Sequence, residues 1–138
     1  MATSGIPAQI DPAAEAGQMA DLFNNLSQAL DDYRLDDHVS PIPADQLARL
    51  KDEAQSLEDR AHYFTAQAIG ATLQSIQSDL VNIKSVTAQA REQVGRLNDV
   101  SKVISIATSA LSLGTAIAAG NPVSIVAAAN ALAQTLGG

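Results

Sequence analysis

From Val103 to Gly138 the chain carries no Asp, Glu, Lys, Arg or His, while all 15 acidic and 8 basic residues lie between Asp11 and Lys102. A charge-free run of this length must be hidden from water, in protein or in lipid, because soluble chains rarely leave so large an apolar patch exposed. Two uncharged helical runs flank Gly120-Asn121-Pro122. Glycine suits the residue just past a helix, asparagine the N-cap of the next, and proline its first turn. The spacing predicts a helical hairpin over 103–138 that turns at Gly120, Asn121 and Pro122.

The rest of the composition narrows the fold class. The aromatics are Phe23, Tyr33, Tyr63 and Phe64, and there is no Trp. A core without large rings must be packed with Leu, Ile, Val and Ala, which suits closely approaching helices better than a β-sandwich or a deep ligand pocket. The net charge of −7, with scattered basic residues, argues against nucleic-acid binding, which needs clustered Lys and Arg. The same charge disfavours electrostatic attraction to anionic lipid. No cysteine is present, so disulfides and thiolate metal sites are excluded. The opening residues MATSGIPAQIDP lack the basic and apolar regions of a Sec signal. The expected location is cytoplasmic, or exported without a cleavable Sec signal.

Residues 1–11 read as an irregular N-terminus. Asp11-Pro12 is a strong helix start, and Met19, Leu22, Phe23, Leu26, Leu30 and Tyr33 recur at the spacing of an amphipathic helix. The sequence predicts a first helix over 12–35, then a linker over 36–43 with Pro41 and Pro43. No further proline occurs until Pro122. Gly70, Gly95 and Gly114 interrupt this stretch with no adjoining turn cluster, so 44–119 reads as one long helix or two end to end. Leu47, Leu50, Ala54, Leu57, Ala61, Phe64 and Ala68 form one seam of alternating three and four spacing. A second seam runs from Ile69 through Leu73, Ile76, Leu80 and Ile83 to Thr115. The offset between the seams rotates the apolar face by roughly 140°, which makes Gly70 the candidate hinge. The predicted fold is all-α: an elongated coiled coil or helical bundle in a single domain. Its charged amphipathic region covers 44–102 and its uncharged hairpin 103–138.

The hairpin has two chemical faces. Val103, Ile104, Ile106, Leu111, Leu113, Ile117, Val123, Ile125, Val126 and Leu132 form the expected assembly or membrane face. Ser101, Ser105, Thr108, Ser112 and Thr115 form a hydroxyl stripe. Such a stripe serves close helix packing or, in an oligomer, lines a wet lumen. A membrane span needs about 20 predominantly apolar residues, and both arms fall short of that on sequence.

Motifs for catalysis are missing. There is no Cys, no G-x-S-x-G, no phosphate loop and no dinucleotide fingerprint. Glu58 and His62 stand four apart, as two metal ligands would, but no third ligand has suitable spacing. The expectation is a protein without enzymatic activity, cofactor, metal or nucleic-acid partner. Three functions fit. The first is a self-associating helical scaffold, filament subunit or partner-binding module whose hairpin packs in an oligomeric core. The second is a membrane-active protein that inserts 103–138 as an oligomer. Its layout over 44–138 is similar to that of α-helical pore-forming cytolysins, in which a helical stalk carries an apolar hairpin. The third is a compact soluble bundle acting as an adaptor or immunity-type binder.

Overall fold

The computed structural model describes residues 11–35, 42–96 and 99–137. Among these there are six helices and no strand: α1 Pro12–Leu35, α2 Ala44–Tyr63, α3 Ala66–Ser75, α4 Leu80–Val94, α5 Val100–Ala119 and α6 Pro122–Gly137. The expected irregular N-terminus and linker fall almost wholly outside the described residues.

Helix α1 begins where Asp11-Pro12 predicts. The Asp11 carboxylate accepts from the Ala13 N–H at 3.1 Å, which satisfies one of the donors a helix start leaves free. Met19, Phe23, Leu26 and Leu30 on its buried face are all fully enclosed. This face packs against α2, α3 and α4, while α5 joins α2 to α6. One apolar core draws buried residues from all six helices. The total accessible surface is 7448 Å², against about 6800 Å² expected for a folded monomer of this mass. The six helices thus share one apolar core within the chain.

The expected long helix over 44–119 is broken three times, and none of the breaks is at Gly70. The first is at Phe64-Thr65. Phe64 turns inward to meet Phe23 edge-on, with ring centroids 5.1 Å apart, and Thr65 caps α3 by accepting from the Ala68 N–H at 3.1 Å. The second break spans the turn at 76–79 before α4. The third follows Gly95, and α5 restarts where the Asp99 carboxylate accepts from the Ser101 N–H at 3.0 Å. Each break folds an apolar face back onto the core. The single chain thereby hides the seams that an unbroken helix would need partners to cover.

Gly70 lies inside α3, and the breaks fall on either side of it. A Cβ there would stand 3.1 Å from Pro12 Cβ, so its bareness lets α3 approach the start of α1. The hairpin turn lies where the sequence puts it. Gly120 ends α5 at φ +82°, the left-handed conformation that glycine adopts most readily. The Asn121 side chain accepts from the N–H groups of Val123 at 3.0 Å and Ser124 at 3.3 Å, and α6 begins at Pro122.

Candidate interaction surface on the uncharged hairpin

Most of the apolar side of the hairpin lies inside the chain, and the hydroxyl stripe lies on its outside. Val103, Ile106, Leu113 and Ile117, with Ile125 and Leu132 of α6, are fully buried within the chain, and Ile104 is nearly so. Leu111 and Val126 are half-buried, and only Val123 is open, at 79 % exposure. The expected assembly or membrane face is therefore mostly the inner wall of this chain's own core. Ser101, Ser105, Thr108, Ser112 and Thr115 are all exposed. The hydroxyl stripe is the outer face of α5, not a buried packing seam. The reason is the width of the core-facing side: Val103, Ile106, Ala107, Ala110, Leu113, Gly114 and Ile117 claim it, and the stripe lies opposite.

Helix α6 continues the outer face with Val123, Ser124, Ala127, Asn130, Ala131, Ala133 and Gln134, all exposed. The Ser109 and Thr135 hydroxyls bond across the two helices at 3.0 Å. The back of the hairpin is therefore a surface of small, hydroxyl and amide side chains. It contains no charge of its own beyond Lys102 at its starting edge.

Two charged groups of α2, Arg49 and Glu53, reach this surface at Thr108. A cleft of about 510 Å³ between α2, α5 and α6 is lined by Arg49, Ser101, Ile104, Ser105, Thr108, Ser109 and Thr135. Arg49 Nη2 lies 3.4 Å from Thr108 Oγ1. Thr108 in turn donates to Glu53 Oε2 at 2.5 Å, and Arg49 Nε stands 3.9 Å from the same oxygen. Glu53 is 8 % exposed, the one charged residue among the buried polar groups of the described residues, and its Oε1 is enclosed without a hydrogen-bond partner. Burial raises the Glu53 carboxyl above the usual carboxylate range, against the opposing pull of the Thr108 hydrogen bond and the Arg49 charge. Sequence reasoning missed Glu53. It sits between two seam positions, Leu50 and Leu57, beside Ala54, and that adjacency was the available signal.

Two further clefts run between α1 and α4. One is lined by Leu22, Val81 and Ala88 together with Gln18, Asp21 and Lys84, and Lys84 is paired with Glu15 at 2.7 Å. The other holds Tyr33, Arg91 and Arg96; burial, then the Asp99 charge, raises the Tyr33 hydroxyl above its ordinary range. Among the described residues no group of three or more His, Asp or Glu could hold a metal ion. Helix α5 is long and apolar enough to cross a membrane by length and composition, with 20 residues and mean hydropathy 1.5, and 44 % of that window is buried in the fold. Comparison with protein-family models, curated proteins and solved structures finds no match.

Proposed function

We propose that this chain is a non-enzymatic helical protein that works by self-association, docking the outer face of α5 and α6 on the same face of a second copy. The observation that carries the reading is the exposed, nearly charge-free back of the hairpin on a chain of net charge −7. Two copies of such a chain repel each other over most approaches. The hairpin back is a surface on which they can meet without opposing carboxylates, and it is longer than the other uncharged face, on the ten-residue α3. Its small side chains allow backbones to come close, as Ser, Ala and Gly do in packed helix pairs. A helix of 20 residues is about 30 Å long at 1.5 Å per residue. Two helices side by side are about 20 Å wide. The face is then about 600 Å² per copy, or about 1,200 Å² for a symmetric pair, at the lower edge of stable interfaces.

The expected oligomeric core thus moves from the apolar face of the hairpin to its polar one. Membrane insertion has support from α5 alone. Helix α6, with 16 residues, is about 24 Å long, short of the roughly 30 Å hydrocarbon thickness.

Light scattering and sedimentation over a concentration series test the proposal, using wild type, Ser112→Glu, Ala127→Glu and a control, Gln74→Glu, on exposed α3. A reversible dimer is expected. Each hairpin glutamate should weaken it at least about tenfold, since a desolvated unpaired carboxylate costs several kcal/mol. The control should leave it unchanged. A monomer at every concentration overturns the proposal, as does a dimer indifferent to both hairpin glutamates. Dye release from neutral vesicles by wild type, abolished by the same glutamates, replaces it with the membrane reading.

A further inference from the structure

If the hairpin back is the self-association face, one charge stands in its way. Arg49 arrives from α2 and lies over Thr108, the middle member of the hydroxyl stripe. In a two-fold dimer each copy would bring its own guanidinium to this region, and both would have to lose water against an uncharged surface. We propose that Arg49 is a gate on this face, held over Thr108 by the ionised Glu53 carboxylate and released when Glu53 takes up a proton. The inference rests on the self-association reading and adds its regulation.

The hold on Arg49 is specific. Glu53 follows it by one turn on α2, and among the described residues Glu53 is the carboxylate within ion-pair distance. The Arg49 side chain is 58 % exposed, so no packing locks it in place. Remove the negative charge on Glu53 and what remains is a 3.4 Å contact to a hydroxyl, too weak to hold a long solvated side chain. Water then competes freely for the guanidinium, which can swing off the stripe.

Glu53 is also poorly suited to staying ionised. One oxygen is satisfied by Thr108, and the other is enclosed with no donor, a costly state for a carboxylate. Few charges surround it. From α2, Arg49 faces it, and Arg60 stands two turns on along the same face with its stem against α5 at Gly114 and its Nε enclosed, while Lys51 and Asp52 are exposed. From α5 it meets the Thr108 hydroxyl, and the one charge of that helix, Lys102, stands six residues earlier in the first turn. From α1, Glu15 is paired with Lys84 and Asp31 with Arg34, and the nearby Ser27 hydroxyl is bonded to the Ala54 carbonyl at 2.7 Å. Uptake of one proton leaves a neutral carboxyl whose O–H can donate to Thr108 Oγ1. The Thr108 hydrogen is then free to turn outward, toward a partner's stripe.

Sedimentation equilibrium over a pH series from neutral down to just above the sequence pI of about 4.5 tests the gate with wild type, Arg49→Gln, Glu53→Gln and the double variant. The wild-type dissociation constant should fall at least about tenfold on acidification, or 1.4 kcal/mol. Arg49→Gln and Glu53→Gln should already associate near neutral pH about as tightly as wild type does in acid, and should change little with pH. The double variant should match the single ones, because both remove the same obstacle. Arg49→Gln changes an exposed side chain, so its result stands even if Glu53→Gln perturbs folding. A wild type and an Arg49→Gln variant with the same affinity and the same pH slope overturn the gate, since the slope is then ordinary charge neutralisation. If the hairpin glutamates still break that dimer, self-association survives and the gate alone falls. A wild type and an Arg49→Gln variant that are monomeric at both pH values overturn both.

Discussion

Replacing Gly114 by alanine places a methyl group where the Phe23 ring already sits. The added Cβ would lie 2.7 Å from Phe23 Cε2 and 3.5 Å from the Arg60 side chain. Carbon atoms in contact prefer about 3.5–4.0 Å, so the ring must retreat by about an ångström. It has little room. Phe23 is fully buried and is held edge-on by Phe64 at an interplanar angle of 87°. Overpacking of this kind costs about 1–3 kcal/mol, and the rigid neighbour places it in the upper half of that range. Opposing it, alanine is better than glycine inside a helix by about 1 kcal/mol. The net expectation is a loss of about 1–2 kcal/mol. Gly17 is the internal control, because a Cβ there meets nothing within 4 Å. Gly17→Ala should stabilise by about 0.5–1 kcal/mol through propensity and unfolded-state entropy. Urea unfolding followed by far-ultraviolet circular dichroism measures both. In a Phe23→Leu background the Gly114→Ala penalty should shrink by about 1 kcal/mol, because the two sites share one contact. The reasoning fails if Gly114→Ala stabilises as Gly17→Ala does, or if its penalty is unchanged when Phe23 is shortened.

Two other outcomes follow from single residues. Gly120→Ala should cost about 1–2 kcal/mol, because alanine resists the left-handed backbone at φ +82° and its Cβ would press on Thr72 Oγ1 at 3.3 Å; Gly120→Asn should cost less in the same urea assay. Stability of the wild type should fall as pH rises from the ordinary glutamate range, about 4.3, through the raised value of Glu53, since the fold binds this proton more tightly than the unfolded chain does. Glu53→Gln should remove that component of the slope, and a slope identical to wild type would refute it.

Local signals in the chain fix the structure where one residue type carries the geometry. Asp11-Pro12 opens α1, and Gly120-Asn121-Pro122 reverses the chain, because caps and left-handed glycine act within a few residues. The breaks inside 44–119 were partly legible. Thr65 is an N-cap residue type, and Gly95 is followed three residues later by Asn98-Asp99, a turn composition that the unbroken heptad pattern outweighed. Seam periodicity misled because helices that pack against their own chain and helices that pack against a partner show the same three-four spacing.

The candidate site was half legible. The hydroxyl stripe and the apolar stripe of the hairpin were both identified residue by residue, since they are properties of one helix wheel. Which stripe faces outward was not, because this depends on what other elements arrive to cover it. Glu53 and Arg49 escaped notice for the same reason. A glutamate in a charged helix is exposed by default, and only the approach of α5 encloses this one.

The amino-acid order alone determined that the chain is helical, that its charges end at Lys102, and that the uncharged part turns back at Gly120. These follow from backbone preference and side-chain chemistry acting over one or two turns. Tertiary structure decided that most of the apolar side of the hairpin is buried within the chain, that the hydroxyls face outward, and that a buried carboxylate and an arginine of α2 meet the stripe at Thr108. Burial depends on contacts between residues as far apart as Glu53 and Thr108, and no periodicity within a single helix contains that information.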